Sequence, residues 1–161
     1  MTDRPSANQQ GGMPGLIASL AAFPDELGRM LQGYPVDALK RPASDGGWGV
    51  IENIGHLRDW EEIYLSRVET ILNQDHPALP EYDDQLWEIE HDYRGQEPAK
   101  VLERLRGQRQ RLVDILQAVP AEAWGRTGQI GSGTNVTLEE VVQGIRQHDV
   151  EHARAIDEAL A

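Results

Sequence analysis

An all-α four-helix bundle is the fold predicted by this chain of 161 residues, on three observations. Apolar residues recur at spacings of three and four over four long segments. No segment alternates as a strand would, and Pro- or Gly-rich stretches separate each helical pattern from the next. The length suits one domain, large enough to bury an ordinary core without disulfides or a structural metal. Residues 1–13, "MTDRPSANQQGGM", are too polar to offset the entropy of ordering them, so a disordered tail is expected there and a single bundle domain over 14–161.

The first helix is read from "PGLIASLAAFPDELGRMLQGY", where Leu16, Leu20, Phe23, Leu27, Met30 and Leu31 form one stripe. Pro24 implies a kink, or a restart with proline in the first turn. "VDALKRPASDGG" breaks the pattern, and a second helix runs from about Val50 to Leu72. Its apolar side holds Ile51, Ile54, Leu57, Ile63 or Tyr64, Val68 and Ile71, with Arg58, Glu61, Glu62 and Arg67 as the wet face.

Residues 73–96 show little periodicity beyond a short turn around Trp87, and a connection this long either serves function or crosses the length of the bundle. The third helix follows in "EPAKVLERLRGQRQRLVDILQAV", with Pro98 placed for a first turn. "PAEAWGRTGQIGSGTN" interrupts again. Thr137 then caps the fourth helix, with Glu140 three residues on completing a capping box.

Composition removes several function classes. The net charge of −12, from 27 acidic against 15 basic residues, repels phosphate backbones and argues against a nucleic-acid partner. No stretch approaches the ~20 apolar residues of a membrane span, and a soluble, cytoplasmic protein is expected. The chain has no cysteine, so a thiolate metal site and a protein thiol nucleophile are both excluded.

The histidines carry the chemistry. His148 and His152 are spaced i, i+4 and continue the buried stripe of the fourth helix between Ile145 and Ile156, so both face the core or a pocket in it. His56 borders the stripe of Ile54 and Leu57 and can point inward from the second helix. Three inward imidazoles lacking partners are costly, and one metal ion satisfies all three. Glu52 and Asp59 are the carboxylates nearest His56 by helical geometry, placed to orient an imidazole or to act as a base, or else as an ordinary first-turn acid and a surface acid. His76 and His91 are read as exposed loop residues. Trp48, Trp60, Trp87 and Trp124 are read as packing, with no assigned role.

"WGVIENIGHLRDWE" resembles the Trp-x-x-x-Glu-x-x-x-His-Leu segment of the DinB-like superfamily of small metal-binding four-helix bundles. "GTNVTLEEVVQGIRQHDVEHARAI" is similar to its Thr-Leu…His-x-x-x-His segment, and Trp124 falls where the family often has a tryptophan before the last loop. The resemblance extends from about Leu16 to Leu160. It implies His56, His148 and His152 as the ligands of a divalent transition metal such as zinc, nickel or iron. It also implies an up-down-down-up bundle, whose parallel second and third helices require the long crossover, and frequent homodimers.

Three neutral imidazoles leave positions open for water or substrate, so hydrolysis and thiol transfer are the accessible chemistries. By the same resemblance, a low-molecular-weight thiol such as bacillithiol or mycothiol is a conceivable cosubstrate, and with no cysteine in the chain it would come from outside. The expectation is a metal-dependent transferase or hydrolase acting on a small molecule. The alternative is a metal-binding stress-response or interaction protein without turnover.

Overall fold

The computed structural model describes residues 12–82 and 91–161. Five α-helices are present among them: α1 (Gly12–Leu31), α2 (Val36–Lys40), α3 (Val50–Asn73), α4 (Pro98–Gln117) and α5 (Leu138–Leu160). The four long ones are the helices expected from the periodicity. α1 already includes Gly12 and Met13, inside the segment read as tail. Pro24 lies within this one helix, buried, rather than at a restart. The turn expected at Trp87 falls outside the described residues.

Helix ends follow local chemistry. Pro98 occupies the first turn of α4, where its missing N–H leaves no bond unmade. Thr137 Oγ1 accepts from the Glu140 N–H and Glu140 Oε1 accepts from the Thr137 N–H, both at 3.1 Å, so the capping box of α5 is reciprocal. α3 begins after Gly49, whose N–H donates to Glu52 Oε2 at 3.1 Å. A Cβ at Gly49 would lie 2.0 Å from the Arg41 carbonyl oxygen, so only glycine permits this entry into the helix.

Ion pairs and hydrogen bonds between helices fix their directions. Arg106 of α4 pairs with Asp25 of α1 while Arg109 reaches back to the Leu20 carbonyl, so these two run antiparallel. Arg104 meets Glu62 and Arg111 meets Glu69, numbers rising together, so α3 and α4 run parallel. Asn53 meets His152 and His56 meets His148, so α3 and α5 are antiparallel. The order is up-down-down-up. Parallel α3 and α4 need a connection that returns along the bundle, which is why residues 74–97 are long.

The core has two apolar ends. Leu20, Val68, Ile71, Leu112, Leu116, Leu138 and Val142 pack at one, and Phe23, Leu27, Ile51, Ile54, Leu57, Leu105 and Ile156 at the other. Between them lies a fully buried polar layer of Glu61, Arg109 and Asp149. Glu61 was expected on the wet face of its helix; it is buried because Arg109 supplies the opposite charge.

The absence of strands predicted from the sequence is corrected at one end of the bundle. β1 (Ala78–Leu79), β2 (Thr127–Ile130) and β3 (Thr134–Thr137) form a small sheet, β1 parallel and β3 antiparallel to β2. Strands of two and four residues are too short to show alternation. Gly128 lets the sheet approach the core: a Cβ there would meet Leu79 at 2.9 Å and Ile71 at 3.2 Å.

Candidate metal centre

Antiparallel packing of α3 on α5 sets the first turns of one against the last turns of the other. His56, on α3, therefore faces His148 and His152, which share a face of α5 one turn apart. His56 Nε2 and His148 Nε2 are 3.1 Å apart, and one ring nitrogen from each of the three residues lies within 4.8 Å of the others. Ring centroids are separated by 4.4 to 5.1 Å. Among the described residues this is the group of histidines and acids close enough to hold an ion.

Burial keeps two of these rings neutral. The pKa of His56 falls to about 4, through loss of hydration partly opposed by Asp59. That of His148 falls to about 3, through loss of hydration and then repulsion from His152, His56 and Arg109. At neutral pH each ring therefore has a nitrogen lone pair to offer, as a metal requires.

Asn53 settles which nitrogen of His152 is available. Its Nδ2 donates to the Gly49 carbonyl at 2.8 Å, which turns Oδ1 toward His152 Nδ1, also at 2.8 Å. An amide oxygen can only accept, so Nδ1 carries the proton and Nε2 presents its lone pair. Sequence reasoning missed Asn53. It lies on the His56 face of α3, but its partner is defined only by the register of α5.

Aromatic rings wall the group. Trp48 lies 5.1 Å from the His56 ring and 6.4 Å from that of His152. Trp60 is 6.0 Å from both His56 and His148, and Tyr64 is 5.6 Å from His148. These rings limit the contact of the imidazoles with water, most fully at His56 and less at the half-buried His148 and His152, and strengthen electrostatic interactions there accordingly. A cavity of about 480 Å³ reaches Asn53 and His152 from the outside, past Ser44, Asp45 and Trp48.

The carboxylates proposed to assist His56 are engaged elsewhere. Glu52 Oε2 caps α3 and its Oε1 accepts from Arg94 Nε at 2.7 Å, the role of a first-turn acid. Asp59 is buried, not on the surface; its Oδ1 accepts from Arg58 and its Oδ2 from the Tyr93 hydroxyl at 2.6 Å. His76 and His91 are both exposed, as expected. His76 is hydrogen-bonded to Thr127 Oγ1 at 2.8 Å, and His91 stacks near Tyr93. Trp124 packs against the core end beside the sheet, and Trp87 lies outside the described residues.

Directly behind His148, Asp149 joins the buried polar layer. Arg109 forks onto Glu61 at 2.6 and 2.9 Å and onto Asp149 at 2.7 and 2.8 Å, and its remaining donor reaches the Leu20 carbonyl at 3.0 Å. All five guanidinium N–H groups are thereby used. Burial alone would lower the Arg109 pKa, yet its two carboxylates hold it well above the ordinary value. The Asp149 carboxyl is pushed up to about 6 by burial, against the pull of Arg109.

Residues 19–156 match the DinB superfamily model. This chain belongs to the DinB superfamily. A protein of Geobacillus thermodenitrificans named "Putative metal-dependent hydrolase" is 28% identical over 103 residues, 64% of this chain. The match spans 58% of that relative, less than two thirds of its length. A protein of the same description from Halalkalibacterium halodurans is 24% identical over 97% of this chain and 91% of its own. Among solved structures, YfiT of Bacillus subtilis, described as a probable metal-dependent hydrolase with an unusual four-helix bundle topology, superimposes with a TM-score of 0.86. That likeness covers 99% of this chain and 90% of YfiT at 23% identity, and it establishes the shared fold.

Proposed function

We propose that His56, His148 and His152 hold one divalent transition metal ion, such as zinc, nickel or iron, and that the protein is a metal-dependent hydrolase of a small molecule. The observation that carries this reading is the convergence of three imidazoles, two of them held neutral by burial, with Asn53 fixing the tautomer of His152. Without an ion, Nε2 of His56 and Nε2 of His148 can satisfy one another only if one of them carries the proton. With an ion, both offer lone pairs, and the donor set is the all-nitrogen one that suits zinc or nickel.

A divalent ion held there supplies Lewis acidity, polarising a carbonyl and acidifying water toward a pKa of about 7. The protein's own part is to orient and to exclude. Asn53 holds His152, Trp48 and Trp60 shield the rings, and Arg109 with Asp149 and Glu61 fixes α5 against α3 directly behind His148. The engagement of Glu52 and Asp59 leaves neither as a free general base. The names of the two curated relatives support hydrolysis over other metal chemistry.

Thiol transfer is the second reading, favoured by three neutral ligands that leave the ion's charge uncompensated and so suited to an incoming thiolate. The chain lacks cysteine, so that thiol must be a cosubstrate. The test is turnover of ester, amide and lactone panels by chelated and by zinc- or nickel-reconstituted protein, with and without added thiol. Metal-dependent hydrolysis without thiol is the expected result. Turnover only with thiol and an electrophile would replace hydrolase by transferase. Metal binding with no turnover on either panel would favour a non-catalytic metal-binding protein.

A further inference from the structure

The loop that precedes α3 and the last turns of α5 face one another across the cavity of about 480 Å³ that reaches His152. That volume suits a small organic molecule. Two cavities of similar size, one along α4 at Lys100 and Arg111 and one beneath Trp124 at Met13 and Leu116, touch none of the three histidines. The cavity at α5 instead shares three residues with the metal centre. His152 is one of the clustered imidazoles, Asn53 is hydrogen-bonded to it, and Trp48 stands against the rings of His56 and His152. A molecule in this cavity therefore lies directly beside the centre.

Side-chain size and charge give the cavity its character. Ala155 and Ala159 follow His152 on one face of α5 at spacings of three and four, and both line the space that a longer side chain would fill. Asp45, Glu151 and Glu158 also line it, with no lysine or arginine among the lining residues. The Gly47 N–H donates to Asp45 Oδ1 at 2.8 Å and Gln147 Nε2 donates to Glu151 Oε1 at 3.1 Å, so each carboxylate has one oxygen outside these bonds. Glu158 comes six residues after His152, about 9 Å along an ideal helix. All three acids are exposed and stand at the mouth. With a divalent ion on the imidazoles, the inner end is positive and the mouth negative. A molecule matching both ends carries an electron-pair donor at one and a cation at the other.

We propose that this cavity is the substrate pocket of the metal centre and that it selects small molecules bearing an ammonium group, held by Asp45, Glu151 and Glu158 while the other end of the molecule is directed to the ion. Ala155 and Ala159 set the size of what is admitted. The substrate class is thus a compact amine whose metal-directed carbonyl and ammonium group are joined by a short spacer, and anionic molecules are turned away at the mouth.

This inference rests on the metal reading, and the experiment separates the two. Zinc-loaded protein is titrated calorimetrically with acetohydroxamate, then with ω-aminoalkanohydroxamates of increasing length, each beside the alkanohydroxamate that has methyl in place of ammonium. Acetohydroxamate binding reports the metal centre alone, and its absence would overturn the metal reading and this one with it. The expected result is that, at one spacer length, the ammonium compound binds roughly fivefold more tightly than its methyl counterpart. Asp45→Asn, Glu151→Gln and Glu158→Gln together should abolish that preference while acetohydroxamate still binds. Ala159→Phe, which fills the cavity, should abolish it with the carboxylates in place. Equal affinity of the two compounds at every length, or a preference that survives in either variant, would overturn the proposal while leaving the metal centre intact.

Discussion

Asn53 and His152 show how much of the site is set by single atoms. Because the Asn53 amide is turned by its bond to the Gly49 carbonyl, its oxygen dictates where the His152 proton resides. Asn53→Ala should therefore lower zinc affinity about 10–100-fold without changing stoichiometry, measured by competition with a chromogenic chelator. Unchanged affinity would show that His152 needs no such support. Proton binding gives a second residue-scale prediction. His56 and His148 have pKa values lowered to about 4 and about 3 in the folded state, from 6.5. The unfolded chain binds more protons below pH 6.5, so the stability these groups confer is present above that value and lost as pH falls toward 4 and 3. Asp149, raised to about 6, acts in the opposite sense, stabilising as pH falls through 6, but it is one group against two. Chelator-treated protein should thus lose stability in urea between pH 6.5 and 4. His56→Gln should flatten that slope by up to about 1.4 kcal/mol per pH unit, and an unaltered slope would contradict the burial argument. The histidine positions were legible in the sequence because i, i+4 spacing and stripe membership are local properties. Asn53 and Glu61 were not, because their partners lie on other helices.

Elements place those residues, and α3 is held by an unusual contact. Gly55 lies in mid-helix, where alanine would ordinarily stabilise by about 0.5–1 kcal/mol. A Cβ at Gly55 would lie 2.5 Å from Tyr93 Cδ1 and 2.9 Å from its Cγ, so the helix has a flat spot on which the Tyr93 ring rests. Tyr93 in turn holds Asp59 through its hydroxyl. Gly55→Ala is expected to lower the urea midpoint, and in a Tyr93→Ala background the same change should raise it. A stabilising Gly55→Ala in the wild type would show that Tyr93 moves aside without penalty. Helix limits were readable from Pro98 and from the Thr137 and Glu140 pair, since caps depend on neighbours in sequence. The sheet was not readable, because β1 and β2 pair Ala78 with Gln129 across the fold.

The whole molecule is joined at Arg109, which binds side chains on α3 and α5 and a backbone carbonyl on α1 from its own place on α4. Its exposure is 2%, and Glu61 and Asp149 are at 1% and 0%, so Arg109→Met would leave two buried carboxylates without a cation. A loss of about 3–5 kcal/mol in unfolding free energy is expected. Replacing Glu61, Arg109 and Asp149 together by apolar residues should recover most of it, and a mild effect of Arg109→Met alone would mean that the layer rehydrates. The central claim concerns the ion beside that layer. Its most direct test is elemental analysis of untagged protein purified without chelator, alongside His56→Ala and His76→Ala. The account predicts close to one equivalent of a transition metal in the wild type and in His76→Ala, and its loss in His56→Ala. Protein that carries no metal and refuses added zinc and nickel, or equal retention in both variants, would contradict it.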